Sequence, residues 1–179
     1  MDFNELARLR WSVRDYDPRP VEQEKLDYIL ESARLAPTGA NRQPQRIYVL
    51  RSEKALAKVR AATRMAFNAP LVFMLCAEVG AAWHNQRETV MHGTVEDVYS
   101  VAEMDVSIVC DHMQLAATEL GLGTLWVRGY DTQVLLDAFD LPEGIMPICL
   151  LDVGYPAANA QPSKMHYESK PLEELAFEL

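Results

Sequence analysis

Between Thr94 and Gly121 the chain carries a helix-period segment that is apolar around most of its circumference. Val95, Val98, Val101, Ala102, Val106, Val109, Met113 and Ala116 do not fall on one stripe but spread over a broad arc. A helix of that kind has to be covered on most sides, so it crosses the middle of a domain instead of lying on its surface. Thr94 supplies an N-cap, Asp97 stands in the acidic place of a capping box, and Gly121 stops the element.

The segments around it supply the cover. Phe3, Leu6, Ala7 and Leu9 give a short helix over 2–10, and the two prolines of Asp15-Tyr16-Asp17-Pro18-Arg19-Pro20 forbid its continuation. A second helix follows from Val21, with acidic residues in its first turn and Pro37 at its end. Strands are expected at 46–50, 71–76, 124–127 and 146–153, and further helices after Ser52 as far as Arg64 and over 132–139. Helices and strands are mixed without a regular βαβ alternation and without repeats, which predicts an α+β domain. A length of 179 residues suits one domain spanning 1–179. The tail from 157 holds Met165, Tyr167, Leu172, Leu175 and Phe177 in a polar, proline-containing stretch. Those side chains need a surface, either on a second subunit or along their own chain.

Charge narrows the partners. The net charge is -9, yet residues 1–60 hold 12 Lys/Arg against 9 Asp/Glu, leaving 5 against 17 for the remainder. An acidic chain is a poor polyanion binder, which argues against nucleic acid. The arginines at 8, 10, 14 and 19 instead read as a local site for a small anion. No apolar run approaches the ~20 residues of a membrane span, and the N-terminus lacks the pattern of a secretory signal, so a cytoplasmic protein is expected. Cys76, Cys110 and Cys149 each sit in an apolar stretch and read as buried, unreactive thiols.

Several tempting patterns fail on chemistry. Gly121-Leu122-Gly123 lacks the third glycine of a dinucleotide fingerprint, because position 126 is Trp, and it follows a helix and precedes a strand. Helix termination and close backbone approach explain these glycines. Cys110-Asp111-His112 cannot act as a relay, since consecutive helical residues point in different directions. His84, His92, His112 and His166 form no metal-ligand spacing.

Two segments do carry chemistry. Arg10, Ser12 and Arg14 fall at alternate positions where an extended stretch begins, so they face one side. Two guanidiniums and a hydroxyl suit a phosphate monoester. The proline-bounded loop Pro37-Thr38-Gly39-Ala40-Asn41-Arg42-Gln43-Pro44 presents amides and a hydroxyl with no strong acid or base. Such groups suit the edge of a heterocycle, where oriented hydrogen bonds matter more than charge.

In this order the two segments resemble those of the FMN-dependent nitroreductase family, with an Arg-x-Ser-x-Arg/Lys stretch and then a Pro-Ser-x-x-Asn-x-Gln-Pro loop. Asn68-Ala69-Pro70, Glu119 to Trp126, Gly154-Tyr155-Pro156 and Lys170-Pro171-Leu172-Glu173-Glu174 extend the likeness over nearly the whole chain. The resemblance implies an α/β/α sandwich with a central mixed, mostly antiparallel sheet, in an intertwined homodimer with 157–179 as an arm on the partner. It implies FMN held by Arg10, Trp11, Ser12 and Arg14 at the phosphate and by Pro37, Thr38, Gly39, Asn41 and Gln43 at the ring, the loop coming generally from the partner subunit. Val127, Arg128 and Gly129 would pass the flavin near N5, and Lys170 would be a second phosphate contact. Trp11 departs from the family, standing where many relatives have a second arginine that could neutralise charge.

The activity so implied is NAD(P)H-dependent reduction of nitroaromatics, quinones or similar small acceptors by a ping-pong mechanism, with NADH or NADPH as transient donor. The flavin, not a side chain, carries the chemistry. Two alternatives stand beside it: the same flavin used for reductive dehalogenation or oxygen-dependent chemistry, and flavin storage or sensing without turnover. Residues 79–97 match nothing in the family pattern and would shape the substrate pocket.

Overall fold

The computed structural model describes residues 2–83 and 101–179. Thr94, Asp97, His84, His92 and most of the 79–97 stretch lie outside them. Five helices are described: α1 (Phe3–Leu9), α2 (Gln23–Leu35), α3 (Glu53–Ala62), α4 (Val101–Glu119) and α5 (Thr132–Phe139). Their ends follow from local chemistry. Asp2 and Glu5 close a reciprocal capping box on α1. The Ser52 hydroxyl accepts from the Ala55 N–H, as its position predicts for an N-cap, and Asp131 does the same for α5 through the Val134 N–H. Helix α3 stops at Ala62, two residues before the expected Arg64. Thr63 turns extended, and its hydroxyl donates to the Gly129 carbonyl and accepts from the Met65 N–H. A side chain that satisfies backbone outside the helix competes with continuing it.

Four strands form one sheet: β1 (Gln45–Leu50), β2 (Leu71–Glu78), β3 (Gly123–Val127) and β4 (Ile145–Gly154), in the order β1-β2-β4-β3. All three pairings are antiparallel, with a register shift between Leu75 and Cys76. The expected parallel component is confined to an isolated bridge between Ser12 and Thr124, which lays the 10–14 segment outside β3.

Helices cover both faces, giving the α/β/α sandwich. On one face α2 and α4 bury Phe73, Leu75, Cys149, Leu151 and Val153; on the other, residues of α3, α5 and the 13–16 segment bury Val72, Met74, Leu125 and Leu150. Helix α4 is buried through Ala102, Val106, Val109, Cys110, Met113 and Ala117, as its apolar breadth requires. Fully burying a side chain such as Val109 or Met113 contributes about 1.5–3 kcal/mol. Gly121 ends α4 with φ 75°, a conformation that favours glycine. Gly123 meets the close-approach expectation: a Cβ there would stand 2.4 Å from Val13 Cγ2. Among the described residues no helix is long and apolar enough to cross a membrane.

Candidate functional site

The 10–14 segment sits where α1 runs out. Arg10 is the C-cap of α1 in extended conformation, and the Val13 N–H donates to the Thr124 carbonyl at 2.9 Å. With Val13 buried, its neighbours Ser12 and Arg14 turn the other way. Arg10, Ser12 and Arg14 then line one cleft of about 190 Å³ together with Ser163, Met165 and His166 from the tail. Two arginines, two serines and a histidine line this cleft, with no acidic residue in its lining among the described residues, and Arg14 Nη1 also donates to the Ser12 carbonyl at 3.1 Å. That donor set fits a phosphate monoester.

The other expected contacts are placed differently. Trp11 is half-buried and packs against the core beneath β3. The Lys170 ammonium lies 3.6 Å from Glu174, with most of its side chain exposed, and does not line the cleft. Arg19 stacks over the Tyr155 ring at 3.4 Å, so the four-arginine cluster divides. Arg8 lines an adjoining cleft between α1 and the tail, of about 530 Å³, which Arg10 and His166 share. His166 and Ser163 had no local signal in the sequence, because a turn more than 150 residues away brings them to Arg10.

The loop at 37–44 is built from backbone strain. Ala40, Asn41 and Gln43 have φ of 48°, 55° and 51°. For Ala40 and Gln43 such a conformation costs on the order of 1–2 kcal/mol each, and asparagine tolerates it better. Several bonds hold it. The Thr38 hydroxyl accepts from the Gln43 N–H at 3.0 Å, and Gln43 Nε2 donates to Asn41 Oδ1 at 3.2 Å. The Gly39 N–H donates to Asp105 Oδ1 on α4 at 2.8 Å, and the Pro44 carbonyl accepts from the Glu78 N–H at 2.8 Å. Asn41 and Gln43 remain exposed, as Pro37 does, and Asn41 Nδ2 and Gln43 Oε1 stand outside their mutual hydrogen bond. Groups that orient a heterocycle need this kind of rigid presentation.

At the end of β3, Val127 is buried while Arg128 and Gly129 are exposed. Arg128 folds back over the sheet, where Nη1 donates to the Ile148 carbonyl and Nη2 lies 3.7 Å from Glu103 of α4. The 37–44 loop and the 10–14 segment stand at diagonal corners of the sheet. Gln45 heads the β1 edge, whereas Ser12 lies outside the β3 edge and seven residues along the register. Four strand spacings across and seven residues along put them about 30 Å apart. None of residues 37–44 lines the Arg10–Arg14 cleft.

The thiols and the Cys-Asp-His run do not enter this site. All three cysteines are free and buried. Desolvation pushes the Cys76 thiol up to about 12, and a hydrogen bond with Cys149 together with burial raises Cys110. Thiols held that way are poor nucleophiles. His112 Nδ1 is engaged with the Ile108 carbonyl, and Asp111 accepts from Gln114, so neither serves Cys110. A second buried carboxylate, Asp152 on β4, has no hydrogen-bond partner for either oxygen among the described residues. Desolvation pushes it up to about 8, against the opposing pull of Arg60.

Known proteins share this fold. A crystal structure of a nitroreductase family protein from Clostridium difficile 630 superposes with a TM-score of 0.87 at 36% identity, covering 99% of this chain and 98% of that one. The FMN reductase [NAD(P)H] of Bacillus subtilis strain 168 is 30% identical over 82% of this chain and 62% of its own length. A Methanothermobacter thermautotrophicus protein bearing the name NADH dehydrogenase/NAD(P)H nitroreductase is 28% identical over 94% of this chain and 87% of its own. The model of the nitroreductase family matches residues 7–155, from α1 through the end of β4. By sequence and by fold, the chain belongs to the nitroreductase family.

Proposed function

We infer that the chain is an FMN-dependent oxidoreductase that uses NAD(P)H to reduce nitroaromatics, quinones or similar small acceptors. The observation that carries this reading is the cleft of Arg10, Ser12 and Arg14, whose donors match the phosphate of FMN. When bound, FMN would supply the hydride and electron chemistry that links NADH or NADPH to the acceptor in a ping-pong reaction.

The chain's own residues bind and orient. Arg10 and Arg14 neutralise the phosphate, and the Ser12 hydroxyl donates to it. Thr38, Gly39, Asn41 and Gln43 address the ring edge, Pro37 and Pro44 fixing the ends of their loop. Val127, Arg128 and Gly129, at the end of β3, would border the ring and offer it backbone N–H groups. The Arg128 side chain is held on the Ile148 carbonyl and beside Glu103.

Two copies complete one site. The two segments lie at opposite corners of a single chain, so the loop of one protomer serves the cleft of another, as in the intertwined homodimer expected from the family. Phe3 and Leu9 on α1, Met104 and Ile108 on α4, and Tyr167, Leu172 and Phe177 in the tail are exposed apolar side chains suited to that interface. The 157–179 arm then buries its apolar residues on the partner. Three free buried thiols suit a reducing, cytoplasmic setting.

An absorbance spectrum of the purified protein, before and after NADH or NADPH, tests the reading. It is expected to show bound flavin that the donor bleaches and that a nitroaromatic or quinone restores. A colourless protein that takes up no added FMN would refute it. Bound flavin that neither donor bleaches would favour storage or sensing instead.

A further inference from the structure

The ring-facing loop is tied down at three places, and one of them is a buried acid on another element. Asp105 is 3% exposed in the first half of α4, among Ala102, Val106 and Val109. Its Oδ1 accepts from the Gly39 N–H at 2.8 Å across 66 residues of sequence. Its Oδ2 is buried without a hydrogen-bond partner among the described residues. A charged or polar group taken out of water that way is unfavourable in itself, so its gain lies in the one bond it makes.

Gly39 is seated hard against the same helix. A Cβ there would lie 3.1 Å from Val101 Cγ1, 3.3 Å from Trp83 Cβ and 3.6 Å from Asp105 Oδ2. The loop's far side is fixed by the Gln43 N–H on the Thr38 hydroxyl and by the Pro44 carbonyl on the Glu78 N–H. The left-handed residues Ala40, Asn41 and Gln43 lie between these ties. A backbone held out of its preferred regions persists only where its surroundings over-determine it.

We propose that Asp105 is the positioning residue of the flavin loop: its carboxylate clamps the Gly39 N–H and so holds Thr38–Gln43 in the strained form that grips the ring. This rests on the FMN reading above. Asp105 acts through the loop, whereas Arg10 and Arg14 act on the phosphate directly. The two sets therefore part company on a ligand that has the ring and lacks the phosphate, and riboflavin is that ligand.

The test measures affinity for FMN and for riboflavin by quenching of flavin fluorescence, together with amide hydrogen exchange over residues 38–43 in the ligand-free protein. Asp105→Ala is expected to weaken both flavins by the same factor, about ten-fold or more, and to speed exchange in the loop. Asp105→Asn keeps the acceptor oxygen and is expected to restore both affinities to within about three-fold, with slow exchange. Arg14→Ala is expected to weaken FMN alone. Gly39→Ala, which presses the loop off α4 and leaves the carboxylate intact, is expected to reproduce the loss for both flavins. It serves where Asp105→Ala does not fold. Wild-type affinity for both flavins and wild-type loop exchange, in either a folded Asp105→Ala or Gly39→Ala, would overturn the proposal. Failure of the wild-type protein to bind either flavin would instead overturn the FMN reading, while the exchange of Asp105→Ala would still decide whether Asp105 clamps the loop.

Discussion

The two segments proposed to face the cofactor are built on opposite principles. The 10–14 segment has no residue of positive φ and presents side-chain charge from an ordinary extended backbone docked on β3. The 37–44 loop has three such residues and presents neutral amides from a backbone held by Thr38, Pro44 and Asp105. The first should tolerate backbone adjustment and suffer from loss of charge. The second should tolerate side-chain change at its tips and suffer from anything that loosens its seat.

That division of labour can be broken most directly from the charge side. Arg10→Ala with Arg14→Ala removes two charge-assisted partners, each worth about 1.5–3 kcal/mol, so FMN affinity should fall by roughly 100-fold or more. Riboflavin affinity should stay level in the same titration. An equal loss for both ligands would show that the segment also shapes the ring site.

The contrast extends to two buried carboxylates. Asp105 has a backbone partner, whereas Asp152, on the face of the sheet shared with Tyr16, has none among the described residues. In the folded protein Asp152 holds its proton up to about pH 8, but in the unfolded chain it releases it near pH 4. The unfolded state therefore binds fewer protons across that window, and stability contributed at this position declines as pH rises from about 4 to about 8. Asp152→Asn should remove the decline. Its melting temperature should exceed the wild type's by several degrees at pH 8 and match it near pH 4. A gain independent of pH would mean that Asp152 is not protonated in the fold.

Backbone docking of the 10–14 segment is the next lever. Gly123→Ala places a methyl 2.4 Å from Val13 Cγ2 and 3.0 Å from Pro156 Cγ. Overpacking of this kind costs about 1–3 kcal/mol, readable as a lower denaturant midpoint at unchanged slope. A midpoint equal to wild type would show that the segment has room to shift. The smallest effects separate the tail residues. His166→Ala should weaken FMN by about three-fold through loss of one donor at the cleft. Lys170→Ala, exposed and paired with Glu174, should change FMN affinity less than two-fold, and a larger loss would return Lys170 to the phosphate.

Much of this architecture was legible in the chain. The breadth of apolar positions placed α4 in the middle, Ser52 marked the start of α3, and the stop at Gly121 and close approach at Gly123 were readable from the glycines and their surroundings. The alternation of Arg10, Ser12 and Arg14 marks a shared face in the sequence, and all three line one cleft. The remainder depends on contacts between distant residues. The early end of α3 is set by Thr63 reaching Gly129, and the cleft's fourth wall by His166 returning to Arg10. Asp105 did leave a trace, as an acid amid the most apolar stretch of a buried helix, but its meaning waited on knowing that Gly39 lies against it. Trp11, grouped with the phosphate contacts through the family resemblance, packs against the core because alternate residues of an extended chain face opposite ways.

The diagonal placement of the two segments has a genetic consequence. If each site draws its phosphate cleft from one protomer and its ring loop from the other, a chain with a ruined cleft and a chain with a ruined loop can repair one another. In a mixed dimer one site collects both lesions and the other collects none. Random reassortment makes half the dimers mixed, so about a quarter of the native sites should return from two parents that each have none. Alleles of the two classes would then complement across classes and fail within them, sorting the flavin contacts into two groups by phenotype alone.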